Sequence, residues 1–232
     1  DPLSFRCASG VHGSVQDTLE FVERYLELQL NATDDNPCIF VDEGTTSVSQ
    51  NFETTTLALG VEMLSAALNH MSKCICYRLI HLADPAFTGL TRFLTPAEVK
   101  TIAYGTIQKV FTVLDAENRM LANPSSMDFI AVAGSIEDHA SNLPLAAAKA
   151  RRIVENLRYM LGIEAMHAAQ AVDLRGKPAL GRVTGPVHDA LRREVPYLSA
   201  DRNLSIDIEK AYRFILEGRL FQAIQGAAEQ AR

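Results

Sequence analysis

The chain has 232 residues, 47% hydrophobic and 22% charged, proportions of a folded globular protein rather than a disordered, collagen-like or disulfide-stapled one. Lys and Arg number 22 against 28 Asp and Glu, and the net charge of −6 weighs against nucleic acid or an anionic membrane surface as partner. No apolar run approaches the roughly 18 residues needed to cross a bilayer.

The chain opens at Asp1-Pro2, without an initiator Met or a signal-like segment, and this start is expected to lie inside a longer protein. Ser14 is placed to cap a first helix reaching about Leu30, with Val15, Leu19, Val22, Leu26 and Leu30 on one stripe. A polar stretch over 31–53 follows, rich in turn chemistry, with a small strand expected over 38–41. Leu57, Val61, Leu64, Leu68, Met71, Ile75 and Leu79 predict a long helix over 54–82, ended by Asp84-Pro85. Thr95-Pro96-Ala97-Glu98 has the form of a capping box and predicts a helix from there to about Leu121, broken by Asn123-Pro124. After a loop reaching Asn142, an Ala-rich helix is expected over 143–174, about 48 Å long at 1.5 Å per residue. Shorter helices are expected near 186–194, 205–217 and 219–230, with Ser205 or Asp207 as cap of the middle one. The fold class is therefore all-α: a single domain over 1–232, an elongated bundle of long antiparallel helices with shorter C-terminal ones.

Four cysteines, Cys7, Cys38, Cys74 and Cys76, are read as reduced structural thiols of a cytoplasmic protein. Cys74 and Cys76 point about 200° apart on a helix, and no second ligand pair accompanies them, so no metal site is expected. No phosphate-binding loop, dinucleotide fingerprint or nucleophile elbow is present. Three places could carry chemistry. The loop Ser135-Ile136-Glu137-Asp138-His139 concentrates titratable groups before the longest helix, as a base or polar clamp or as a solvated loop. Glu164 falls on the apolar stripe of that helix with His167 one turn on, either paired inside the bundle or shifted in pKa, or else forming an i,i+3 pair at the edge of the buried face. Arg6 could bind a carboxylate bidentately, and Phe52 in its polar loop reads as a packing anchor.

Taken in order, several short motifs resemble the aromatic amino-acid ammonia-lyase family, histidine ammonia-lyase above all. They are Asp1-Pro2-Leu3-Ser4-Phe5-Arg6-Cys7, Asn31-Ala32-Thr33-Asp34-Asp35-Asn36-Pro37, Gln50-Asn51-Phe52, Ala116-Glu117-Asn118, Asn123-Pro124-Ser125-Ser126-Met127-Asp128, Glu137-Asp138-His139 and Ala168 to Arg175. Their order and spacing match the C-terminal part of such an enzyme. The resemblance implies elimination of ammonia from an aromatic, histidine-like amino acid. It implies Arg6 on the substrate carboxylate, Asn36 near the carboxylate or electrophile, Phe52 beside the electrophile, and Glu137 facing the amine or side chain, with Asp138 and His139 in support. The electrophile, 4-methylidene-imidazole-5-one, forms in the family from an Ala-Ser-Gly triad in the preceding half of the chain. Ala8-Ser9-Gly10 here sits at the wrong place and is not expected to form it. The implied partners are the amino-acid substrate, the N-terminal half of the same protein and further copies in a tetramer, and residues 1–232 alone are expected to be inactive. Leu3 stands where the family has Tyr, Ile136 where Gln is usual and Ser135 where Asn is usual. The motif after Asn51-Phe52 also departs, at Glu53-Thr54-Thr55-Thr56. A 2,3-aminomutase or a non-catalytic helical oligomerisation domain are the alternative readings.

Overall fold

The computed structural model describes residues 1–230 and consists almost wholly of helices. In chain order these are α1 (Leu3–Arg6), α2 (Ala8–Leu30), the hairpin strands β1 (Cys38–Phe40) and β2 (Thr45–Ser47), α3 (Thr55–Leu82), α4 (Pro85–Thr88), α5 (Ile107–Leu121), α6 (Leu143–Leu174), α7 (Thr184–Glu194), α8 (Leu204–Leu216) and α9 (Arg219–Gln230). Among the described residues no helix is long and apolar enough to cross a membrane, and all four cysteines are free. The chain forms two compact units. One contains residues Asp1–Arg6, Ser72–Glu117 and the chain from Glu155 onward; the other contains Cys7–Met71 and Asn118–Val154.

In the first unit Ile75, Leu79, Ile107, Phe111, Met160, Ile163 and Met166 are fully buried or nearly so. Phe111 meets the ring of His167 and Asn156 donates to Glu117, so α5 runs antiparallel to α6. Ser72 contacts Met160 and Arg78 pairs with Glu164, so α3 runs in the same direction as α6. Gly162 lets α8 approach closely: a Cβ there would stand 2.9 Å from the backbone carbon of Ala211 and 3.0 Å from Tyr212 N. Asp173 on α6 receives His188 and Arg192 from α7, at 3.1 Å and 2.7 Å.

The predicted long helices and short strand are present, but three helix starts are corrected. Helix α2 begins at Ala8, and Ser14 lies inside it with its hydroxyl donating to the Gly10 carbonyl at 3.0 Å. A serine can satisfy itself on the preceding turn as well as cap a new one. Thr95 caps no helix either: its hydroxyl donates back to Arg92 O at 2.8 Å, and α5 starts only at Ile107. Burial of Leu94 and Tyr104, both at 0% exposure, draws this segment into short turns and overrides the local helix signal. Asn203 caps α8, its side chain accepting from Ser205 N at 3.1 Å, while Asp207 is buried against Arg202.

Candidate functional site

Two irregular loops of the second unit supply the polar residues that the sequence singled out. The first spans 31–54 around the β1–β2 hairpin, in which Cys38 pairs with Ser47. Asn36 precedes a cis Pro37, and its side-chain oxygen accepts the Ser49 N–H at 3.1 Å across the hairpin. Asn51 closes the loop by donating to Thr33 O at 3.0 Å, and its own carbonyl accepts from Gln29 at 2.9 Å. Phe52 thus stands between two pinned residues, with its side chain 54% exposed.

The second loop, 122–142, is moored to α3 through Glu62. One carboxylate oxygen accepts the backbone N–H groups of Ser125 and Ser126 at 2.5 and 2.7 Å, and the other accepts the Ser126 hydroxyl at 2.8 Å. Burial pulls the Glu62 carboxyl upward, but these donors and the nearby Lys149 charge outweigh it and hold it below the usual carboxylate range. Asn142 donates to the carbonyls of Ser125 and Asp128 at 3.0 and 2.6 Å. Between these anchors Ala133, Gly134 and Ser135 all take positive φ, at 49°, 69° and 71°. Left-handed backbone is easy for glycine but costs a non-glycine residue about 1 kcal/mol or more. The turn is closed by Val132 N–H donating to Glu137 O at 3.0 Å and Glu137 N–H to Val132 O at 3.3 Å. This strained turn sets the direction in which Ile136 and Glu137 leave the backbone.

The two loops enclose a cavity of about 720 Å³. Asp34, Asp35 and Asn36 line it from the hairpin side, Phe52 and Glu53 from the entry to α3, and Ile136, Glu137, Asp138 and His139 from the strained turn. Five of these residues are carboxylates, and among the described residues no Lys or Arg lines the cavity, so it favours a cationic occupant. Asn36, Phe52, Glu137, Asp138 and His139 of the sequence reading therefore share one cavity. Glu53, a departure in the sequence, also belongs to it. Its carboxylate accepts from Thr55 Oγ1 at 2.7 Å and meets His139 Nδ1 at 2.9 Å. Burial raises its pKa, but the hydrogen bonds from Thr55 and His139 outweigh it and bring it below the ordinary carboxylate value. Among the described residues, no group of three or more His, Cys, Asp or Glu is placed to hold a metal ion.

Arg6 belongs to the other unit, where it ends α1 and is exposed. Phe5 stacks on Phe87 at 5.2 Å between ring centroids, and the Ser4 carbonyl accepts from Arg78 Nη1 at 3.1 Å. Arg78 also makes a two-pronged pair with Glu164, through Nε at 2.5 Å and Nη2 at 3.0 Å. The carboxylate on the apolar stripe is thus paired inside the bundle, not with His167. That histidine is fully buried, and Nδ1 meets Ile163 O at 2.9 Å. Burial pushes its pKa down to about 4, against the smaller opposing effect of the Ile163 hydrogen bond. Sequence reasoning missed Glu53, Glu62 and Arg78 because their partners lie 63 to 86 residues away in the chain. An acid directly after Asn51-Phe52 was the one visible signal among them.

Residues 1–193 match the sequence model of the aromatic amino acid lyases. Histidine ammonia-lyase of Anaeromyxobacter dehalogenans strain 2CP-C is 38% identical over 95% of this chain, a match covering 43% of that relative. A crystal structure of the ergothioneine-degrading enzyme ergothionase from Treponema denticola, in complex with desmethyl-ergothioneine sulfonic acid, is 59% identical. It superposes with a TM-score of 0.89 over 95% of this chain and 44% of its own. Tyrosine aminomutase from Streptomyces globisporus superposes with a TM-score of 0.91 at 28% identity, over 98% of this chain and 43% of its own. The chain spans less than half the length of each of these relatives.

Proposed function

The chain belongs to the aromatic amino acid lyase family, and from that premise we propose that it is the C-terminal part of a carbon–nitrogen lyase acting on an imidazole-bearing amino acid. The favoured substrate is ergothioneine, the N-trimethylated betaine of 2-thiohistidine. The observation that carries this choice is 59% identity to an ergothioneine-degrading enzyme across nearly the whole chain. A cavity lined by Asp34, Asp35, Glu53, Glu137 and Asp138 suits a permanently cationic ligand.

In this reading Arg6 clamps the substrate carboxylate bidentately and Asn36 supplements it. Glu137 faces the cationic nitrogen or the ring, supported by Asp138 and His139, and Phe52 packs against the planar groups. Loss of a Cβ proton and departure of the nitrogen leave an α,β-unsaturated acid. A trimethylated nitrogen has no lone pair with which to add to an electrophile, and it leaves as a neutral amine without further activation. That suits the replacement of the family's Tyr by Leu3 and of its amide pair by Ser135 and Ile136. For a primary amine, 4-methylidene-imidazole-5-one would supply the electrophile, with Phe52 and Asn36 beside it and its source triad in the part of the protein that this chain does not cover. Ala8-Ser9-Gly10 is taken up into the first turn of α2, which supports assigning it no such role.

Helix α2 contributes no buried residue in 23 and leaves Leu19, Leu26, Leu28 and Leu30 exposed. These features support self-association into a tetramer, as well as packing against the N-terminal half of the same protein. Four free cysteines support a reducing, cytoplasmic setting. Residues 1–232 alone are expected to be inactive.

The test uses the full-length protein with ergothioneine and with histidine, following the conjugated acid by ultraviolet absorbance and the released amine by mass. Trimethylamine from ergothioneine is the expected product. Ammonia from histidine alone would favour the histidine ammonia-lyase reading, and a β-amino acid the aminomutase. No product from either substrate would overturn the proposal.

A further inference from the structure

Glu53 links two walls of the acidic cavity. Its two hydrogen bonds, to Thr55 Oγ1 at 2.7 Å and His139 Nδ1 at 2.9 Å, join the entry of α3 to the loop that carries Glu137. An ionised carboxylate only accepts, so the proton of the neutral imidazole lies on Nδ1. Nε2 then keeps its lone pair, since the bond to Glu53 engages Nδ1 alone. The Phe129 ring, 5.2 Å away between centroids and tilted by 54°, fixes the imidazole plane from the side. The side chain is 54% exposed and lines the cavity.

We propose that Glu53 and His139 form a carboxylate–imidazole dyad in which His139 Nε2 accepts the ring N–H of an azole substrate, with Glu53 as the positioning residue that fixes the tautomer. The proposal rests on the reading that this cavity receives the substrate's side chain. It makes His139 the specificity determinant for azole rings over carbocyclic ones. A phenyl ring offers no N–H donor, and burying the Nε2 lone pair against it leaves an acceptor unsatisfied.

The experiment measures binding of imidazole acrylic acid and phenyl acrylic acid to the full-length protein by calorimetry, for wild type, His139→Phe and Glu53→Gln. Wild type is expected to favour the imidazole acid by about tenfold or more, the factor set by one lost buried hydrogen bond. His139→Phe should abolish that preference. Glu53→Gln, which keeps the ring but releases its tautomer, should reduce the preference severalfold while phenyl acid binding stays unchanged. A structural role alone would weaken both ligands together. If His139→Phe does not fold, Glu53→Gln carries the test. An unchanged preference in the folded variants, or a wild type that binds neither acid or both equally, overturns the dyad. Turnover of ergothioneine and histidine is measured alongside. An enzyme that turns over yet keeps its preference in both variants refutes the dyad alone. A protein that shows the expected preferences without turnover refutes the lyase reading and keeps the dyad.

Discussion

Replacing Glu164 by Leu is the sharpest test of how the first unit holds α1. The Glu164 side chain is 18% exposed and that of Arg78 only 9%, so the substitution strands a guanidinium in a nearly dry setting. Breaking one side of a buried pair costs about 3–5 kcal/mol, and partial exposure of the carboxylate places this case near the lower end. At a urea m-value of about 3 kcal/mol per M, a loss of about 3 kcal/mol moves the unfolding midpoint down by about 1 M. The double substitution Arg78→Met with Glu164→Leu removes both charges, and replacing a buried pair by apolar side chains is neutral or stabilising. It still strips the Ser4 carbonyl of its Arg78 donor, a penalty of about 1–3 kcal/mol for an unsatisfied buried acceptor. The double variant should therefore be more stable than Glu164→Leu alone. The assay is urea unfolding followed by circular dichroism at one fixed protein concentration, since self-association shifts midpoints by mass action. A double variant no more stable than the single one would refute the reasoning, because it would mean that packing and not the stranded charge sets the cost.

Glu62→Ala leaves the Ser125 and Ser126 N–H groups without their acceptor, and their amide exchange should quicken by about 30-fold, the equivalent of about 2 kcal/mol of local opening. His167 has a folded-state pKa near 4 against an ordinary 6.5. The unfolded chain then binds a proton that the folded one refuses, so this stability is full above about pH 6.5 and is lost as pH falls towards 4. The loss amounts to about 3 kcal/mol, and unfolding midpoints measured across that window in wild type and His167→Gln should show the slope flatten in the variant. Gly162→Ala should destabilise by about 1–3 kcal/mol despite alanine's better helix propensity, because the new methyl meets the Ala211–Tyr212 backbone at 2.9–3.0 Å. A thermal midpoint at or above wild type would show that α8 moves aside freely.

Much of the fold could be read from helical periodicity, because α3 and α6 repeat their apolar residues over 28 and 32 residues and few other structures accommodate such runs. The starts of the helices were less legible. Ser14, Thr95 and Ser205 each carry a hydroxyl able to cap, and each uses it on a nearby carbonyl or side chain instead. Local chemistry names the residues that can cap, while the packing of Leu94, Tyr104 and Asp207 decides where the chain leaves the helix. The site followed the same division. Asn36, Phe52 and Glu137 to His139 stood out within short contiguous motifs, whereas the Glu53–His139 contact spans 86 residues and depends on the tertiary fold.

The departures at the site carry a further argument. Ser135 adopts φ 71° in the turn that aims Glu137, where the resemblance places an asparagine in the family. Asparagine tolerates left-handed backbone better than serine does, so the exchange gives up both an amide and some conformational ease. The turn is held by the Val132–Glu137 bridge and by the moorings of Asn142 and Glu62. A costly turn at Ser135, beside side chains that differ from the amides the resemblance implies, is hard to reconcile with a site free of constraint, and it agrees with the proposed change of substrate.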